Sequence, residues 1–168
     1  FDVLPPHFKT LRLPLARMGN LSERKGYLCL YGHEAITSCN NQSLVARRLQ
    51  HHKAQATIEM EFDSKTFQQM AGLTVFYDTY NFFYLYLSRD EEAGYNALRI
   101  IVRDNLKFYN PLDGGYVSVG DATRVWLRAE LDGLTLRFYY SLDGEEFVQI
   151  GGDLDASDLS DEAYGEIG

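Results

Sequence analysis

The sequence predicts an all-β protein built from two packed antiparallel sheets, a sandwich or jelly roll. Three observations predict it. Apolar and polar residues alternate with period two in one segment after another, which sends successive side chains to opposite faces of a strand. Asp-Gly pairs, Asp132-Gly133 and Asp143-Gly144, separate alternating runs, and such pairs mark hairpin turns. Helical periodicity is almost missing, and short strands with turn residues between them favour two sheets over a mixed fold. A chain of 168 residues supports one good hydrophobic core and is rarely split into two domains. Its 45% apolar and 14% aromatic content is that of a packed protein.

Along the chain, residues 1–7, with Leu4-Pro5-Pro6, read as an extended linker or entry segment, because proline fixes its own φ and restricts its predecessor. The sandwich domain is expected over 8–168. Strands are predicted at 26–32 and 43–48. In the next, Ala54, Ala56, Ile58, Met60 and Phe62 alternate with Gln55, Thr57, Glu59 and Glu61, giving one buried and one wet face. Residues 72–77 and 98–103 follow the same rule. Near the end, Val125, Leu127, Ala129 and Leu131 precede Asp132-Gly133, and Leu134, Leu136, Phe138 and Tyr140 follow it. After Asp143-Gly144 come Phe147, Val148 and Ile150, so a three-stranded meander is predicted. Residues 154–162 read as a short helical turn or loop.

A net charge of −8 and a pI near 4.9 argue against a nucleic-acid or anionic-membrane surface, which needs clustered Lys and Arg. No apolar run approaches the roughly 20 residues of a membrane-spanning helix. The N-terminus lacks a signal-peptide layout, and a start at Phe1 without methionine leads us to expect a fragment of a longer protein. Cys29 and Cys39 are too few for a disulfide framework and lack zinc-site spacing. Two free thiols and a cytoplasmic location are expected.

The search for chemistry yields little. His51 and His52 are adjacent, so on a strand they point to opposite faces and do not share a metal. Asp153, Asp155 and Asp158 lack the glycine and distal glutamate of a calcium loop. Glu59 and Glu61 share a strand face as a carboxylate pair, yet alternating Glu on a wet face is ordinary solubility design. Ser43 and Ser141 lie in no nucleophile elbow. No catalytic residue, metal or cofactor is predicted. The aromatic run is the open feature: Tyr80, Phe82, Tyr84 and Tyr86 are the candidate carbohydrate or interdomain contact residues. Phe82, Tyr84 and Tyr86 share one strand face, where they could form a sugar-stacking platform, an interface or a layer of core.

One family resemblance stands beside this reading. Phe8-Lys9-Thr10-Leu11-Arg12, Gly26-Tyr27-Leu28-Cys29-Leu30-Tyr31-Gly32 and the run from Gln42 to His51 resemble the C-terminal concanavalin A-like domain of family 43 glycoside hydrolases of the β-xylosidase type. Met70-Ala71-Gly72-Leu73 with Tyr77 and Asn81, Tyr139-Tyr140-Ser141-Leu142-Asp143-Gly144, and the acidic run from Leu154 to Glu162 resemble it in order and spacing. The resemblance implies a concanavalin A-like antiparallel β-sandwich, itself non-catalytic, that packs on a five-bladed catalytic β-propeller of the same chain. The parent would release xylose, or arabinose, from the non-reducing ends of xylo-oligosaccharides with inversion, using an acid and a base roughly 6.5–9.5 Å apart. The family's late loop, which lends an aromatic residue to the pocket, is expected beyond Gly168, so the sandwich is expected to lack its last strand and no residue takes that role. Family enzymes are often homo-oligomers. An independent carbohydrate-binding module remains the alternative, since fold alone does not separate the two.

Overall fold

The computed structural model describes residues 3–157 and 159. The chain divides into two compact units, Phe1–Gln50 and His51–Gly168. The first unit carries β1 (Phe8–Thr10), a one-turn helix α1 (Leu15–Met18), β2 (Gly19–Asn20), β3 (Cys29–Leu30) and β4 (Val45–Arg47). β1 pairs antiparallel with β4, and β2 with β3. Gly19 lets β2 close on β3, because a Cβ there would sit 2.1 Å from the Cys29 carbonyl oxygen.

Side-chain hydrogen bonds organise the rest of this unit. Glu34 accepts from the Ser38 hydroxyl, and from Asn41 Nδ2 at 3.1 Å. Gln42 donates to the Ile36 carbonyl and accepts from Arg12 at 3.2 Å. The strands expected over 26–32 and 43–48 are therefore shorter than their alternation suggests. Tyr27 closes a turn onto Arg24 through Gly26 at φ +85°, and the Ser43 hydroxyl donates to the Tyr31 carbonyl. These local bonds replace ladder pairing on either side of Cys29–Leu30 and before Val45.

The second unit holds β5 (Lys53–Glu61), β6 (Ala71–Phe76), β7 (Asn81–Asp90), β8 (Tyr95–Asp104), β9 (Lys107–Tyr109), β10 (Val117–Ser118), β11 (Arg124–Asp132), β12 (Thr135–Ser141) and β13 (Val148–Asp155). Two antiparallel sheets result. One runs β10-β8-β7-β6, with β9 also on β8; the other runs β13-β12-β11-β5. Phe83, Leu85 and Leu87 of β7 and Leu98, Ile100 and Val102 of β8 form one cluster with Val125, Leu127 and Ala129 of β11, Leu136 and Phe138 of β12, and Ile150 and Leu154 of β13. Every one of these positions comes from period-two alternation, so each strand gives one face to a shared core.

The predicted meander is present, with two shifts. Asp132 pairs with Thr135, which makes Gly133-Leu134 the two-residue loop in place of Asp132-Gly133. Only Gly133, at φ +63°, takes a positive φ there, matching a turn that needs glycine at its first central position alone. Leu154 and Asp155 lie in β13, where a loop or helical turn was expected. An irregularity lies between Ile150, opposite Phe138, and Leu154, opposite Leu136. Gly151 at φ +75° helps the extra residues loop out, so Leu154 returns to the core face. The rest of the expected 156–162 turn lies mostly outside the described residues.

Candidate functional site

The outer faces of the two sheets differ in chemistry. That of the four-stranded sheet is a lattice of paired charges. Arg124 bridges Glu61, and Glu59 at 3.6 Å. Arg137 holds Asp153 through two bonds of 2.7 and 2.6 Å, a planar fork on a carboxylate. Arg128 lies 3.5 Å above the Phe147 ring. The Glu59 and Glu61 pair predicted on one face is there, facing an arginine, which is the solubility arrangement. Asp153 is held below the usual carboxylate range by its bond from Arg137, and Asp155 by its bond from the Ser157 amide.

The outer face of the five-stranded sheet is aromatic. On β7 it carries Phe82, Tyr84, Tyr86, Ser88 and Asp90; the register sets Arg103, Ile101, Arg99, Ala97 and Tyr95 of β8 beside them. Phe76 stacks on Phe82 at 6.1 Å, and Tyr84 on Tyr86 at 5.1 Å. Arg99 donates to Ser88 at 2.9 Å and to Asp90 at 2.8 Å, and lies 5.3 Å from the Tyr116 ring. Tyr95 and Tyr116 share a hydroxyl contact of 2.7 Å, and that bond pushes the Tyr95 phenol up to about 12. Burial raises the Tyr84 and Tyr86 phenols, with Arg99 opposing it at Tyr86.

At the other end of this face, two turns are tied together. Arg103 donates to the Thr79 carbonyl at 2.6 Å and the Asn105 carbonyl at 3.2 Å. Its guanidinium lies 4.5 Å from the Tyr80 ring and 4.8 Å from the Phe108 ring. Tyr80 is 47% exposed, whereas Phe82 is 0% and Tyr86 5% exposed; Tyr84 is half-buried. The four predicted contact residues thus share one face and its end, but only Tyr80 offers an open ring. Sequence reasoning missed Arg99 and Arg103. Their spacing of four on a strand, opposite Tyr86 and Phe82, was the available signal.

Of the remaining residues singled out, Ser141 has structural work, and Asp158 of the acidic run lies outside the described residues. Ser141 is buried and holds the β12–β13 turn, accepting from the Gly144 amide at 2.9 Å and contacting Asp143 at 2.8 Å. Asp143 accepts from the amides of Glu145 and Glu146. Gly144 could not be otherwise: it has φ +82°, and a Cβ there would sit 2.9 Å from the Trp126 ring. His51 and His52 are exposed, as is the free thiol of Cys39, while that of Cys29 is half-buried. Among the described residues no group of three His, Cys, Asp or Glu side chains could hold a metal, and no helix is long and apolar enough to cross a membrane.

A two-sheet antiparallel sandwich with one ion-paired face and one aromatic face has the architecture of the concanavalin A-like class. The chain belongs to the family described as the beta xylosidase C-terminal concanavalin A-like domain, whose family model matches residues 1–168. It is 37% identical to xylosidase/arabinosidase 43B of Humicola insolens, over 94% of this chain and 30% of that protein. It is 35% identical to the beta-xylosidase of Bacillus subtilis (strain 168), over 93% of this chain and 29% of that protein. Among solved structures it superposes on the xylan beta-1,4-xylosidase of Bacillus halodurans C-125 with a TM-score of 0.91 and 32% identity, covering 97% of this chain and 31% of that one. The chain therefore spans about three tenths of the length of the relatives it matches.

Proposed function

We propose that this chain is the non-catalytic accessory sandwich of a larger family 43 glycoside hydrolase, one that releases xylose or arabinose from xylo-oligosaccharides with inversion. The observation that carries the reading is the family match along residues 1–168 in a chain that spans about three tenths of its relatives. In this reading both catalytic carboxylates belong to a propeller outside this chain. The sandwich buttresses the propeller and helps to complete its substrate pocket. The two free thiols fit a reducing, cytoplasmic setting for the parent.

Calorimetric titration tests this. The chain is titrated with xylo-oligosaccharides and, separately, with the catalytic propeller of a family relative, whose activity is followed. Association with the propeller or a gain in its activity, without saturable sugar binding, is the expected result. Saturable sugar binding by the chain alone would make it an independent carbohydrate-binding module. No response to either titrant would remove the accessory reading.

A further inference from the structure

The β7–β8 sheet ends in an apolar knob whose supporting turns are tied together by hydrogen bonds. Leu106, at the tip of the β8–β9 turn, is 81% exposed, and Phe108 beside it is 57% exposed. Tyr80 completes the group from the β6–β7 turn, and Arg103 lies within 5 Å of both rings. β9 pairs only with β8 among the described residues, and all three of its residues are exposed. An exposed apolar edge strand invites association and is normally blunted or covered.

The turn that lifts Leu106 is not a relaxed surface loop. Asn105 takes φ +53°, a left-handed conformation that asparagine adopts more readily than most side chains, and the turn it makes is tied down by hydrogen bonds. Its amide donates at 2.9 Å to the Asn81 side-chain oxygen. Asn81 is buried, and its Nδ2 donates to Asp78 at 3.1 Å. Arg103 fastens the same two turns through the Thr79 and Asn105 carbonyls. A buried amide and an engaged arginine thus hold the backbone of the turn that presents Leu106 to water. A turn held before contact lowers the ordering cost of association, which helps a small patch act as an anchor.

We infer that the Leu106, Phe108 and Tyr80 knob is the surface through which this domain docks on the rest of its own polypeptide, an inference that rests on the accessory-domain reading. The occupant follows from two observations. The larger part of each relative lies outside the matched segment, so a covalently attached partner is at hand. The knob also has the chemistry of a protein contact: its summit is aliphatic, the Phe108 and Tyr80 rings flank it, and the arginine between those rings is engaged with backbone carbonyls. A sugar site would pair its rings with polar groups turned toward the ligand.

Hydrogen exchange compares the chain alone with the full-length polypeptide that carries it. In the full-length protein the amides of 105–109 should exchange about tenfold or more slowly, as for a segment covered by a partner. Leu106→Asp should abolish that protection and split the melting of this domain from that of the remainder. The same substitution should leave the melting of the chain alone unchanged, since Leu106 is exposed there. Protection on another surface with none here would overturn the knob and leave the accessory role standing. No protection anywhere would remove both. Protection of 105–109 by xylo-oligosaccharides, or by dimers of the chain alone that Leu106→Asp dissolves, would assign the knob to sugar or to a second copy and overturn the proposal.

Discussion

Asp143 shows how one carboxylate can set a turn. It accepts from two following amides and from Ser141, bonds that hold its carboxyl below the ordinary range, the Glu145 amide foremost. A carboxyl whose folded value is depressed adds stability above its unfolded value, near 3.9, and loses it as pH falls through the folded value. Asp143→Asn should therefore melt lower than the parent at neutral pH, with the gap closing below about pH 3.9. Thermal melts from neutral to acid pH check this, and a gap that widens toward acid would refute it. The sequence revealed Asp143-Gly144 as a turn, because its geometry is local. It did not reveal that Phe82 and Tyr86 are buried and Tyr80 open. Periodicity says which side chains share a face, whereas burial depends on what covers that face.

At the scale of elements, strands with long alternating runs were the most legible. β5, β11 and β12 lie close to where alternation put them, because their register is fixed by a buried face. The pairs β1–β4 and β2–β3 were not, since strands of two or three residues carry too little pattern to outweigh side-chain bonds in the loops. The pairing of β6 with β7 turns on one residue. Gly72 lies opposite Tyr86, and a Cβ there would come within 2.0 Å of the Leu85 carbonyl oxygen and 2.7 Å of the Tyr86 Cα. Both obstacles are backbone, so no rotamer relieves them. Gly72→Ala should cost about 1–3 kcal/mol, the range for overpacking. Gly152→Ala is the control: nothing lies within 4 Å of a Cβ there, and its effect should stay within about 0.5 kcal/mol. Urea unfolding of the pair decides it, and equal midpoints would show that β6 can shift away from β7 without penalty.

At the scale of the sandwich, the two sheets share one core, and this sets how the second unit unfolds. Leu85 of the five-stranded sheet and Leu127 of the four-stranded sheet are both 0% exposed within the same cluster. Among the described residues the inner faces of both sheets meet in this one cluster, so removing either side chain weakens the burial on which both depend. Leu85→Ala and Leu127→Ala should each cost about 2–5 kcal/mol. Each should also lower a single cooperative transition, leaving no sheet standing alone. The sheets carry separate reporters: Trp126 lies on the four-stranded sheet, and Tyr84 and Tyr86 on the five-stranded one. Trp fluorescence and hydrogen exchange at the β7 and β8 amides should therefore follow one midpoint in each variant. If Leu127→Ala lowered the Trp midpoint and left the β7 amides protected, the sheets would be separable layers, and each would need a source of stability other than the shared core.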